Sequence, residues 1–147
     1  MTAKEYLQGI WRIDTMIKIK AAEKKRYREL TLTAATSTTA SMSGDRVQSS
    51  GSKQRMADTV DRCIDYERKI DARIAELTEE RDSIIRTIER LPWDKYDLLH
   101  LVYVQYKTLK EVAAIRDEAY STVATNHGIA LNMVSAILKE REVIKGN

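Results

Sequence analysis

Phenylalanine is absent from this chain, and cysteine and proline occur once each. These scarcities exclude whole classes of protein. A single cysteine, Cys63, cannot form an intramolecular disulfide and suits a reducing compartment. With no Phe and only 6% aromatic residues, a large globular core is not expected. The two histidines, His100 and His127, lie far apart with too few cysteine or carboxylate companions, so no metal site is expected. No Ser/His/Asp or Cys/His grouping is recognisable, and no glycine-rich loop is built to cradle a phosphate. The chain therefore does not read as an enzyme, and no cofactor is implied. No long apolar run marks a signal peptide or a membrane span.

Charge, by contrast, is plentiful at 32% of residues, which suits long solvated helices. The net charge is only +3, but its distribution is uneven. Residues 1–30 carry eight Lys/Arg against four Asp/Glu, 31–91 carry ten against eleven, and 92–147 carry seven against seven. The excess lies mostly between Lys18 and Arg28. It reads first as a solvated helix face, and second as a contact for nucleic acid or an acidic protein surface.

The most regular stretch is 56–91. Met56, Val60, Cys63, Glu67, Ile70, Ile74, Leu77, Arg81, Ile84, Ile88 and Leu91 follow strict 4-3 spacing. This is a heptad seam, interrupted by charge at Glu67 and Arg81 and free of Gly and Pro. At about 1.5 Å per residue it predicts a rod of roughly 50 Å. Its apolar stripe needs a partner helix. Thr2 and Glu5 have capping-box spacing and open a helix expected over residues 2–30, with Tyr6, Ile10, Ile13 and Ile17 on one stripe. Folded back as an antiparallel hairpin, these isoleucines would meet the C-terminal half of the seam. The first helix is the shorter one, so much of the seam is expected to stay uncovered and to pair two chains. The candidate dimer residues are Val60, Cys63, Ile70, Ile74, Leu77, Ile84 and Ile88. In an antiparallel dimer centred near residue 74, Glu67 and Arg81 would face each other and set the register. Residues 31–55 are dominated by Ser and Thr, include Gly44 and Gly51, and are expected to form a loop. Arg46, Lys53 and Arg55 offer that loop an alternative role in contacting anions.

Pro92 ends the rod, and the segments beyond it are short. Leu98, Leu99, Val102 and Tyr103 stripe a helix expected from Trp93 to Tyr106. Thr108 and Glu111 repeat the capping-box spacing before a helix of about eight residues, with Leu109, Val112 and Ala113 inward. The period breaks at Asp117–Ala119. Ser121 is the expected cap of a last helix carrying Val123, Ala130, Leu131, Val134, Ile137 and Leu138 on its apolar side. Trp93 is expected to pack beside Pro92, His127 to be packed or to cap, and Gly128 to permit close helix approach. The expected fold class is all-α. A helical hairpin or coiled coil spans 1–91, and a helix-turn-helix domain spans 92–147. In that plan the last helix enters the DNA major groove.

Lys107, Thr108, Glu111, Val112, Ala113, Tyr120, Ser121, Val123, His127, Gly128, Ala130 and Leu131 carry a resemblance. The stretch that holds them is similar to the C-terminal region of a family of small phage and prophage proteins. MTAKEYL and DRVQSSGS extend the similarity over nearly the whole chain. That family is akin to late-gene transcriptional regulators of the ArpU and RinA type, and its C-terminal domain resembles region 4 of bacterial sigma factors. The resemblance implies a transcription regulator that binds double-stranded DNA at a promoter, in the cytoplasm of a bacterial host cell. Host RNA polymerase is a second implied partner, and a homodimer offers two recognition helices to two half-sites. On this reading Lys107 and Lys110 touch backbone phosphates, while Tyr120, Ser121, Thr122, Thr125 and Asn126 line the reading face. Asn can pair with adenine, and Thr can meet phosphate or a thymine methyl. The chain departs from the family pattern around the His-Gly pair, where relatives commonly place Arg. From Tyr120 to Val134 it has no Lys or Arg. That bareness supports a second reading, a protein-interaction module whose helix-turn-helix no longer binds DNA, and the pairing of a helix-turn-helix with a coiled coil allows a third, a phage assembly or packaging adaptor with less sequence-specific DNA binding.

Overall fold

A computed structural model describes the backbone of residues 1–40 and 50–146, and the side chains of 1–34 and 53–146. Five α-helices follow one another: α1 (Ala3–Ala40), α2 (Ser50–Glu89), α3 (Trp93–Leu99), α4 (Leu109–Arg116) and α5 (Tyr120–Lys145). A π-helical segment, His100–Val104, continues α3. No strand occurs among the described residues, and the fold class is all-α.

Both long helices outrun the bounds read from sequence. α1 reaches Ala40 rather than residue 30, and α2 begins at Ser50 rather than 56, so much of the stretch expected as a loop is helical. Hydroxyl side chains accommodate helix when they bond back to a carbonyl one turn earlier. Thr31 donates to the Tyr27 carbonyl at 3.0 Å, Thr33 to that of Glu29 at 2.9 Å and Thr59 to that of Arg55 at 2.8 Å. Of the three residues read as anion contacts, Lys53 and Arg55 are exposed on α2 and Arg46 lies outside the described residues.

The chain divides into two compact units, residues 16–77 and residues 1–15 with 78–147. The division falls at 15/16 and 77/78, while the sequence pattern changes at 91/92. In the unit of residues 16–77, Cys63, Ile70 and Leu77 are buried. Lys24 pairs with Asp71 at 2.8 Å and Arg28 with Glu67 at 4.0 Å, while Tyr27 stacks on Tyr66 at 4.9 Å between centroids. Partners fall along α2 as they rise along α1, so the two helices run antiparallel. The seam charge at Glu67 is therefore answered by α1 of the same chain.

In the other unit, Thr2 and Glu5 form the expected capping box. Ala3, Leu7, Ile10 and Ile13 are buried on α1, as are Ile84 and Ile88 on α2. The Tyr6 hydroxyl meets that of buried Thr87 at 3.0 Å and accepts from Arg141 of α5 at 3.3 Å. Arg90, just past α2, pairs with Glu140 of α5 at 3.3 Å. These links are why the start of α1 and the end of α2 belong with the C-terminal helices. The Arg81 guanidinium donates to Asp14 at 2.7 Å, so it does not wait for Glu67 of a second copy. Five of the seven candidate dimer residues (Cys63, Ile70, Leu77, Ile84 and Ile88) are buried within one chain, and Val60 and Ile74 are partly buried. The seam expected to stay uncovered is largely covered, and the described cross-links Lys24–Asp71, Asp14–Arg81 and Tyr6–Thr87 show α1 lying along it. Two smaller expectations also fail. Trp93 is 75% exposed rather than packed at the junction, and no atom lies within 4 Å of where a Cβ on Gly128 would sit.

Candidate nucleic-acid interface

A small core of Leu98, Leu101, Val112 and Val123, with Val102, Leu109 and Ala113 against it, holds the last helices together. α4 starts as its sequence required. The Thr108 hydroxyl accepts from the Glu111 N–H at 3.1 Å, and the Glu111 carboxylate accepts from the Thr108 N–H at 3.5 Å. Its end is a left-handed residue, Asp117 at φ 52°, beyond which the Glu118 N–H donates to the Ala113 carbonyl at 3.0 Å. The turn is short, and α5 begins after extended Ala119 with no side-chain cap. Ser121 thus sits inside the first turn of α5 instead of capping it. Its carbonyl accepts from the Thr125 hydroxyl at 2.9 Å.

The period of α5 sorts its residues. Val123, Ala130 and Val134 are buried, whereas Tyr120, Ser121, Thr122 and Thr125 are exposed. Lys110 is exposed and Lys107 half-buried, and neither forms an ion pair among the described residues. Thr108, Leu109, Lys110 and Tyr120 line an open groove of about 490 Å³. Asn126 departs from this set. It is half-buried, and its side-chain oxygen accepts from Lys95 at 3.1 Å. Lys95 also donates to Asp94 at 2.9 Å, so the amide expected to read adenine already ties α5 to α3.

A second cation is committed in the same way. Arg116 donates to the Asp94 carbonyl at 3.0 Å and pairs with Asp97 at 3.7 Å and Glu118 at 3.4 Å. By type Lys95 and Arg116 look like phosphate contacts. Their side chains are only 13% and 16% exposed and serve as struts between helices. The spacing of Asp94 and Asp97, which share one helix face, is the signal in the sequence that could have revealed them.

His127 of α5 is half-buried. Its Nε2 meets the Tyr103 hydroxyl at 2.9 Å, and the two rings stack at 5.8 Å. Burial, with Lys4 nearby, holds His127 below the usual imidazole range. Burial also pushes the Tyr103 hydroxyl up to about 12. Tyr106 follows the π-helical segment with φ 58°, and its hydroxyl donates to Asp14. Burial first, then that carboxylate, raises it to about 12. Among the described residues no group of three or more His, Cys, Asp or Glu is placed to hold a metal ion, and no helix is long and apolar enough to cross a membrane. Comparison with protein-family models, curated proteins and solved structures finds no match to this chain. The arrangement can make contacts: hydroxyls and a phenol on the outer face of α5, with Lys110 beside Tyr120, while Lys107 lines a separate cleft.

Proposed function

We propose that the chain is a phage-type transcription regulator that binds double-stranded promoter DNA through α4 and α5, in the cytoplasm of a bacterial host cell. The observation that carries the reading is the sorting of α5, which buries Val123, Ala130 and Val134 and offers Tyr120, Ser121, Thr122 and Thr125 outward. Lys107 and Lys110 fix the domain on phosphates, and the hydroxyls contact the groove. Asn126 is left out of the reading set because Lys95 holds it. The likeness of the motif residues to phage late-gene regulators supports a promoter site and contact with RNA polymerase. The proposal includes a homodimer that offers two α5 helices to two half-sites. Burial of most of the α2 seam within one chain favours a pairing surface outside it.

The test is binding to fragments tiled across the genetic element that encodes the protein, at low and at physiological salt. A fragment that stays bound at the higher salt locates the operator. Binding to every fragment that collapses with salt would replace the regulator by a non-specific packaging adaptor. A second reading, a protein-interaction module, draws on the internal use of Lys95 and Arg116 and the absence of Lys and Arg from Tyr120 to Val134. It predicts no bound fragment at either salt and retention of RNA polymerase in a pull-down.

A further inference from the structure

A cleft of about 410 Å³ opens between the start of α1 and the segment joining α3 to α4, with His127 of α5 at its wall. It lies wholly within the unit of residues 1–15 and 78–147. Lys4, Gln8 and Trp11 enter from one face of α1, as their 4-3 spacing dictates. Trp11 is 62% exposed. Tyr106 is 44% exposed, and its ring is anchored by the bond from its hydroxyl to Asp14. Lys4 and Lys107 supply positive charge, and neither forms an ion pair among the described residues. Among the described residues no carboxylate lines the cleft. The nearby Asp14 is already taken by Arg81 and Tyr106. The cleft is thus electropositive, walled by aromatic faces and within the size range of small-ligand sites.

Aromatic faces beside unpaired cations are the means by which proteins hold bases and phosphates of unpaired strands. An amphipathic peptide helix would need a row of apolar anchors, and among the described residues Val102 and Leu109 are the only aliphatic ones lining the cleft. The geometry points to a site for one unpaired nucleotide, its base against the Trp11 indole and its phosphate between Lys4 and Lys107. This site shares Lys107 with the duplex reading but none of its residues on the outer face of α5, so Lys4→Ala and Trp11→Ala, both on α1, test it separately.

The chain has two tryptophans, so Trp93→Phe leaves Trp11 as the sole indole reporter. The full-length variant is titrated with thymidine monophosphate and, separately, with a short single-stranded oligothymidylate. Saturable quenching of Trp11 emission is expected, weakened about five-fold by Lys4→Ala and further by salt. Trp11→Ala, read by anisotropy of a labelled oligothymidylate, is expected to lose about ten-fold in affinity. Quenching by the mononucleotide identifies a free nucleotide as the ligand, and quenching by the oligomer alone identifies a strand. Circular dichroism checks that each variant keeps its helices. Absence of quenching by both probes, or quenching that Lys4→Ala leaves unchanged in a folded protein, overturns the site. Loss of quenching with Thr125→Ala would move the nucleotide to α5 and overturn it as well.

Discussion

Asn126 shows how residue type and residue role part company. As a free side chain on α5 it would be the best base reader in the segment, worth about 1–3 kcal/mol of discrimination. Its bond to Lys95 makes it a structural tie instead. Asn126→Ala is therefore expected to cost about 1–2 kcal/mol of folding stability in urea denaturation, because it removes a partner from a largely buried ammonium. Thr125→Ala, on the exposed face, is expected to leave stability unchanged and to lower affinity for a cognate fragment by about 1 kcal/mol. A stability loss as large as that of Asn126→Ala would place Thr125 in the packing. His127 carries a pH signature. Its folded pKa lies below the unfolded value, so the unfolded chain takes up the proton first as pH falls. Its contribution is complete above the unfolded pKa of about 6.5 and is lost as pH drops below that toward the lower folded value. Denaturant midpoints measured from pH 7.5 down to 5 should fall, and His127→Gln should flatten the slope. Tyr103 acts at the other end of the scale. With its hydroxyl raised to about 12, the unfolded phenol ionises first, and stability falls as pH rises above about 10.

At the scale of elements, the ends of α4 decide whether α5 is presented at all. The capping box at Thr108 is local chemistry that the T-x-x-E spacing declared, and both of its hydrogen bonds form. Thr108→Ala is expected to cost about 1 kcal/mol, read as a lower thermal midpoint by circular dichroism. The exit is less orthodox. Asp117 occupies the left-handed region at φ 52°, where a side chain is disfavoured. Asp117→Gly is expected to stabilise by up to about 1 kcal/mol, and Asp117→Val to destabilise, since a β-branched residue resists that conformation. Equal midpoints for the two variants would show that this turn tolerates any residue. A break in period around Asp117–Ala119 was visible in the sequence. The π-helical step at His100–Val104 was not, because its Leu and Val content suits an ordinary helix equally well.

At the scale of the molecule, the change of pattern at Pro92 marks a change of element but not of compact unit. Ala3, Leu7, Ile10 and Ile13 of α1 are buried in the unit that contains α3, α4 and α5. Residues 92–147 expressed alone would keep the Leu98–Val123 core yet lose Tyr6 beside Arg141 and Arg90 beside Glu140. That fragment is expected to melt at a lower temperature and less cooperatively than the full chain, as followed by circular dichroism. An equal midpoint would make it a domain in its own right.

The all-α class, the heptad seam, both capping boxes and the apolar side of α5 are consequences of residue spacing, and the sequence by itself determined them. They depend on interactions within a few turns of one helix, where periods of 3.5 and 3.6 residues leave a direct trace. The partner of each charge was decided by the tertiary structure alone. By spacing alone Arg81 is as well placed to meet Glu67 of a second chain, yet it meets Asp14, while Lys95 and Asn126 look free on paper and are joined in space. Such pairings follow from which helices lie side by side, α1 beside α2 for Arg81 and α3 beside α5 for Lys95. The full length of α1 was likewise hidden, in a Ser/Thr-rich stretch whose hydroxyls satisfy their own backbone.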